Sequence, residues 1–211
     1  MVRVKICGVR RFVEGEAALA AGADFLGFVF YRPSPRYLAP EAVRELVAAL
    51  RARWPDQHWA AVGVFVNEPV AVVNEIADYC GLDYVQLHGT EPPAYCLQVR
   101  RPVIKALRLA ELPGGPVSAA QFGAARLLLD SQVPGYWGGT GVRFDWEAAR
   151  PYAAEALVAG GLTPDNVGEA LTLLRPWGVD VSSGVERGGV KDPALIEAFL
   201  VNVRRWEQVN A

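Results

Sequence analysis

The chain has 211 residues, of which 52% are hydrophobic and 21% charged, and its formal net charge is −2. That length and apolar fraction support a sizeable core in one large domain or two small ones. The near-neutral balance and the lack of any charge run give no reason to expect nucleic acid or a membrane surface as partner, and no apolar run approaches the ~20 residues of a spanning helix.

Residues 2–8 read as a strand, filled by β-branched residues and ended by Gly8. Side chains alternate across a strand, so Val2, Val4 and Ile6 share one face and Arg3, Lys5 and Cys7 the other. A lysine and a cysteine on one face of an otherwise apolar first strand suit a site better than a core. Residues 11–21 predict a helix closed by Gly22, and 24–30 a second strand. The loop 31–37 then carries two prolines and two arginines, Arg32 and Arg36. Pro40 stands where a first-turn proline belongs, and 40–53 is a helix. A third strand over 60–66 leads through Asn67 to a helix from about 69 to 80. The fourth strand, 83–87, ends at His88-Gly89 and is followed by a short helix over 92–99. Strand five spans 102–107, and the proline- and glycine-rich stretch 109–123 leaves only a short or degenerate helix. Strand six, 126–129, ends at Asp130, and a glycine-rich loop over 135–141 leads to a helix near 145–153. Strand seven, 155–159, ends at Gly160-Gly161; Thr163-Pro164 opens the next helix, to about 174. Strand eight, 178–181, ends at Ser182-Ser183-Gly184, and a last helix runs from about 192 to 208.

Eight strands, each followed by a helix-length segment, predict an all-parallel sheet closed into an α/β (β/α)₈ TIM barrel. No linker, low-complexity stretch or composition shift divides the chain, so residues 1–211 are expected to form one barrel domain. Active sites of such barrels lie at the C-terminal ends of the strands. Those ends carry Cys7, Arg32, Arg36, Asn67, His88, Arg108, Asp130, Gly160-Gly161, Asp180 and Ser182-Ser183-Gly184, whereas the opposite ends are mostly bland.

Two of these stretches predict an anion cradle. The glycines of 159–164 and the Ser182-Ser183-Gly184 turn place backbone amides after strands seven and eight, where barrels bind phosphate; the alternative is that the glycines only make tight turns. Lys5 is expected inside the barrel, and a buried ammonium requires a carboxylate. Asp180 is the expected partner because strands one and eight become neighbours on closure. The ammonium is expected to lower the thiol pKa of Cys7; a buried inert cysteine is the competing reading. Asp130 follows an apolar strand, and reads as a site carboxylate or a turn aspartate. His88 reads as a site residue or a satisfied core histidine. Arg36 in its proline loop suits a planar carboxylate, and Lys105 is expected to be structural, inside the barrel. Three cysteines without a C-x-x-C pair, and two histidines, predict no disulfide framework and no metal cluster, and fit a reducing, cytoplasmic setting. The N-terminus enters a strand at once, so no secretory signal is expected.

Taken together, these pieces resemble the phosphoribosylanthranilate isomerase family of tryptophan biosynthesis. The resemblance rests on 4–8, 27–36, 62–67, 85–89, Leu129-Asp130, Gly138-Gly139-Thr140-Gly141 with Phe144-Asp145-Trp146, 159–162 and 179–186, in family order. It implies an Amadori rearrangement of N-(5-phosphoribosyl)anthranilate to the ring-opened 1-deoxyribulose phosphate, with a small phosphosugar substrate and no cofactor. Asp130 matches the general acid that opens the ribose, and Cys7 the general base that takes the C2 proton. Arg36 matches the arginine on the anthranilate carboxylate, and His88 and Asp180 match polar pocket positions. The phosphate falls on Gly160, Gly161, Ser182, Ser183 and Gly184. Family members occur as monomers and as homodimers. The rivals are an isomerase of histidine biosynthesis, an indole-forming lyase and a non-catalytic binding barrel. The first is expected to need two phosphate sites, the second a larger lysine set than Lys5, Lys105 and Lys191, and the third neither Cys7 nor Asp130 at a strand end.

Overall fold

A computed structural model of the chain describes residues 1–108, 112, 117–130 and 146–210. Within them eight parallel strands close in sequence order: β1 (Arg3–Cys7), β2 (Phe25–Val29), β3 (Ala60–Phe65), β4 (Tyr84–Leu87), β5 (Val103–Arg108), β6 (Arg126–Asp130), β7 (Ala156–Val158) and β8 (Gly178–Val181), with β8 paired back onto β1. The expected barrel is therefore the observed one. Register is set by the pleat: an apolar set on each strand's outer face meets the helices, and the alternate residues fill the interior. Phe25, Val62, Ile104, Ala106, Leu128 and Leu157 form the inner cluster, with Cys7, Val29 and Val64 above them.

The outer layer comprises α1 (Phe12–Ala20), α2 (Pro40–Arg53), α3 (Val70–Cys80), α4 (Pro93–Cys96), α5 (Trp146–Ala153), α6 (Val167–Leu174) and α7 (Pro193–Asn210). In α2, Val43, Leu46, Val47 and Leu50 recur at one-face spacing and are buried, with Pro40 starting the helix. In α7 the same spacing buries Ile196, Phe199, Leu200 and Val203. The bottom of the barrel is less bland than its residues suggest. Asp24 accepts from Arg3, from the Val4 amide and from Arg204 of the last helix.

Three details depart from the sequence reading, whereas the fifth unit follows it. α4 is a single turn because Asn74 of α3 takes over the chain beyond it, donating to the Gln98 carbonyl and accepting from the Arg100 amide. α6 begins at Val167, after Thr163-Pro164, because the Asn166 side chain accepts the Thr163 amide and donates to the Gly161 carbonyl, which holds 161–166 in a turn. In the fifth unit only a 3₁₀ turn, Ala119–Phe122, lies among the described residues. After β8, a two-residue hairpin pairs β9 (Glu186–Arg187) with β10 (Val190–Lys191). Its turn is Gly188-Gly189, with φ of +58° and +77°, the conformation that two-residue hairpins need and glycine supplies.

Candidate active site

The inner face of β1 brings Lys5 and Cys7 to the top of the barrel. Lys5 has no exposed surface, and its Nζ donates to Asp180 Oδ1 at 2.9 Å, the expected pairing across the β1–β8 seam. The ammonium also reaches the Cys7 sulfur. Space for both comes from Gly27, the register partner of Cys7 on β2: a Cβ there would stand 3.0 Å from Sγ and 3.1 Å from Nζ.

The electrostatics correct one expectation. Burial pulls Lys5 down, but Asp180 and Cys7 outweigh it, so the amine stays charged and its pKa lies above the ordinary value. The Cys7 thiol is not lowered. Burial pushes it up, Asp180 adds to that, and the attraction of Lys5 recovers only part. Cys7 is thus a neutral thiol held beside a cation, because desolvation of the thiolate outweighs the single charge facing it.

The opposite wall carries Asp130 at the end of β6. Its Oδ2 lies 3.1 Å from His88 Nε2, and His88 Nδ1 lies 2.9 Å from Gln86 Nε2. An amide nitrogen can only donate, so Nδ1 accepts and Nε2 carries the hydrogen that the Asp130 carboxylate accepts. Gln86 thereby selects the histidine tautomer, and His88 orients Asp130. Asp130 and His88 are hence brought together, while Arg108, on the same inner face of β5, is the register partner of Asp130. Gln86 escaped the sequence reading although the signal was present: a polar residue in an apolar strand, two positions from His88 and so on its face.

At the third side of the mouth, Arg36 leans over the end of β1. Gly8 has φ +79°, and a Cβ on it would stand 2.5 Å from Arg36 Cδ. Arg36 Nε and Nη2 donate to the two oxygens of Glu186 at 2.7 and 2.8 Å, a bidentate fork. Burial alone would raise the Glu186 carboxyl, but its bonds from Arg36 and Lys191 hold it down at about 2. Arg32 does not join Arg36: it is exposed and lies over the Tyr37 ring.

The two glycine-bearing turns after β7 and β8 come together. Gly160 and Gly161 have φ of +93° and +66°. Gly184 lies so close to the β7 turn that a Cβ would stand 1.8 Å from the Leu162 carbonyl oxygen. Among the described residues, the amides of Gly160, Gly161, Ser183 and Gly184 find no carbonyl partner. The Ser182 hydroxyl is used otherwise, donating to the Cys7 carbonyl at 3.0 Å.

Other candidates resolve as structural. Lys105 lies on the outer face of β5, since Ile104 and Ala106 fill the interior, and this corrects its expected position. Its Nζ donates to Glu91 Oε2 at 2.7 Å and to the Gly89 carbonyl at 2.8 Å, bracing the turn after His88. Asn67 adopts φ +53° and accepts from the Thr90 amide, tying neighbouring turns. Burial raises the thiols of Cys80, to about 11, and of Cys96, as expected of inert buried cysteines. Among the described residues no group of three or more His, Cys, Asp or Glu could hold a metal ion, and no helix is long and apolar enough to cross a membrane. The Gly138-Gly139-Thr140-Gly141 and Phe144-Asp145 motif lies outside the described residues.

Comparison with known proteins gives a consistent picture. The family N-(5'phosphoribosyl)anthranilate (PRA) isomerase matches residues 4–202. The N-(5'-phosphoribosyl)anthranilate isomerase of Moorella thermoacetica is 49% identical over 211 residues, covering 99% of this chain and 92% of that protein. That of Geobacter sulfurreducens is 45% identical, covering 98% and 100%. Among solved structures, the phosphoribosyl anthranilate isomerase of Thermotoga maritima superposes with a TM-score of 0.80 at 37% identity, covering 97% of this chain and 100% of that one. A phosphoribosyl anthranilate isomerase solved in complex with reduced 1-(o-carboxyphenylamino)-1-deoxyribulose 5-phosphate superposes with a TM-score of 0.77 at 36% identity, covering 97% and 100%.

Proposed function

The chain belongs to the N-(5'-phosphoribosyl)anthranilate isomerase family of tryptophan biosynthesis, and we propose that it performs the family's Amadori rearrangement with Cys7 as general base and Asp130 as general acid. The observation that carries this reading is the pairing of the two groups with separate partners on the inner face of one barrel mouth. Cys7 stands beside the Lys5 ammonium, and Asp130 is held through His88 and Gln86.

The reaction asks for one proton delivered and one removed. Asp130 enters the step as the carboxylic acid, having taken a proton from solvent on Oδ1 while Oδ2 accepts from His88, and gives that proton to the ribose ring oxygen; the C1–O bond breaks, and the nitrogen lone pair forms the C1=N iminium. As the iminium forms, the Cys7 thiol gives up its S–H proton to solvent water; the Sγ thiolate then takes the C2 proton, and the C–H electron pair flows toward the iminium nitrogen to give the enolamine, which tautomerises to the ketone. A neutral thiol at rest fits this order. The iminium is a cation formed next to Sγ, and opposite charge favours the thiolate. The base is therefore strengthened when the proton it must take becomes acidic.

The remaining groups bind. The amides of Gly160, Gly161, Ser183 and Gly184, without a carbonyl partner among the described residues, suit the phosphate together with the Ser182 turn. The Nη1–Nη2 edge of Arg36, adjacent to the Nε–Nη2 edge that Glu186 occupies, suits the anthranilate carboxylate. Asp180 keeps Lys5 charged and in place. In this reading residues 1–211 act as one barrel, in the cytoplasm, as a monomer or homodimer. Cys7→Ser and Asp130→Asn are each expected to lower kcat at least ~10²-fold, the scale of a positioned acid or base, with the fold retained by circular dichroism. Steady-state loss of substrate fluorescence measures this, and near-normal turnover in either variant removes that residue from the mechanism.

A further inference from the structure

Arg36 is held by more than the loop that carries it. Its fork partner Glu186 sits on the β9–β10 hairpin, where Lys191 is its register partner. Directly opposite residues on a hairpin share a face, and Lys191 Nζ, itself fully buried, donates to Glu186 Oε1. The same ammonium donates to the Ser182 carbonyl at 3.2 Å, and Ser182 Oγ donates to the Cys7 carbonyl at 3.0 Å. The Arg36 stem in turn rests on Gly8. The contacts close a ring from Cys7-Gly8 through Arg36, Glu186, Lys191 and Ser182 back to Cys7.

Two features of the ring point to a ligand. The guanidinium, ammonium and carboxylate sum to one net positive charge in a largely buried cluster, and a charge so placed calls for an anion. A guanidinium also offers a carboxylate two equivalent bidentate edges, Nε–Nη2 and Nη1–Nη2. Glu186 occupies the first, and among the described residues the second has no partner.

We propose that Glu186, backed by Lys191, is a positioning residue for substrate recognition: it turns Arg36 so that only the Nη1–Nη2 edge faces the mouth, fixing where an aromatic ortho-carboxylate docks. This rests on the reading of Arg36 as the carboxylate grip. Glu186 does not touch substrate; it acts through Arg36, and Lys191 supplies the counter-charge that keeps it ionised while ignoring the ligand.

Two stable probes test it: reduced 1-(o-carboxyphenylamino)-1-deoxyribulose 5-phosphate and the same compound built on aniline, without the carboxylate. Calorimetric titration is run on the wild type, Arg36→Ala, Glu186→Gln, Glu186→Asp and the Arg36→Ala/Glu186→Gln double variant. Glu186→Gln is expected to weaken the carboxylated probe about tenfold or more, the value of a charge-assisted bond, and to leave the aniline probe within about twofold. The double variant should bind the carboxylated probe no more weakly than Arg36→Ala alone, because the two residues act as one unit. Glu186→Asp keeps the charge for Lys191 but is one methylene too short for the fork; it should show the same selective loss, and it carries the test if Glu186→Gln does not fold. In turnover, KM should rise while kcat changes little. Equal weakening of both probes, or additive losses in the double variant, overturns the proposal and makes Glu186 a support of the hairpin. If Arg36→Ala itself weakens both probes equally, the carboxylate reading of Arg36 fails and this proposal falls with it. If only the Glu186 variants lack discrimination, Arg36 keeps its role and Glu186 loses its own.

Discussion

Cys7 sits between opposed influences, and their balance has a measurable consequence. Burial lifts its pKa above the ordinary thiol value while Lys5 pulls the other way and loses. Alkylation of Cys7 by iodoacetamide, followed on its peptide by mass spectrometry, should therefore keep accelerating beyond the ordinary thiol range in the ligand-free protein. A plateau at neutral pH would mean that Lys5 dominates after all. The sign carries over to stability. A thiol whose folded pKa is raised contributes fully below its unfolded value, and the contribution is lost as pH climbs through the folded value. Gly27 belongs to the same residue-scale argument. Its absent side chain leaves Lys5 Nζ and Cys7 Sγ their positions, each only about 3 Å from where a Cβ would stand. Gly27→Ala should push one or both aside and lower kcat by about tenfold to a hundredfold, since sub-ångström errors in a reacting group are costly. Kinetics with a thermal melt would separate this from unfolding, and unchanged kcat would show that the pair can shift freely.

Among the elements, the turns after β7 and β8 form one structure: Gly184 meets the Leu162 carbonyl so closely that no Cβ fits. Gly184→Ala should part the two turns, cost about 1–3 kcal/mol of stability as overpacking does, raise KM and weaken inhibition by inorganic phosphate. Unaltered phosphate inhibition in the folded variant would detach these turns from anion binding. The same elements show what a linear reading can reach. The eight strands are legible because each is a short apolar run set off from the next by a helix-length segment, and β1 meeting β8 follows from closure alone, which places Asp180 beside Lys5. Glu186 lies in the 179–186 motif, yet its bond to Arg36 spans 150 residues and no local pattern encodes it. The face of Lys105 is not legible in the sequence, because its parity depends on where the pleat of β5 starts. The direction of the Cys7 shift is not legible either, because one neighbouring charge can be read from spacing whereas burial is a sum over the whole fold. Gly188-Gly189 is a hairpin signal that the sequence does carry.

At the scale of the molecule, chemistry and closure are divided between the two ends of the barrel. The top holds Cys7, Asp130 and the groups proposed to bind substrate; the bottom ties the first strand to the last helix. Arg204 Nη1 donates to the Val2 carbonyl at 2.9 Å and to Glu207 at 3.0 Å, and Nη2 to the Gly22 carbonyl at 3.0 Å. Glu207 in turn accepts from the Val2 amide. Apart from the Arg204–Glu207 bond within the last helix, these join residues about two hundred positions apart, so they tie the first strand to the last helix at the bottom of the barrel. Chemistry at the top and stability at the bottom is the division expected of the fold. Arg204→Ala removes a charged donor from two backbone carbonyls and should cost about 1.5–3 kcal/mol. That corresponds to a Tm lower by roughly 3–12 °C for a chain of this size, at about 2–4 °C per kcal/mol. Below the melt, kcat and KM should stay at wild-type values, because among the described residues Arg204 bonds to Val2, Gly22, Asp24 and Glu207, all at the bottom of the barrel. A thermal melt beside steady-state kinetics checks both halves. A changed KM with an unchanged Tm would show that this tie transmits its geometry up β1 to Cys7, and that the two ends are not independent.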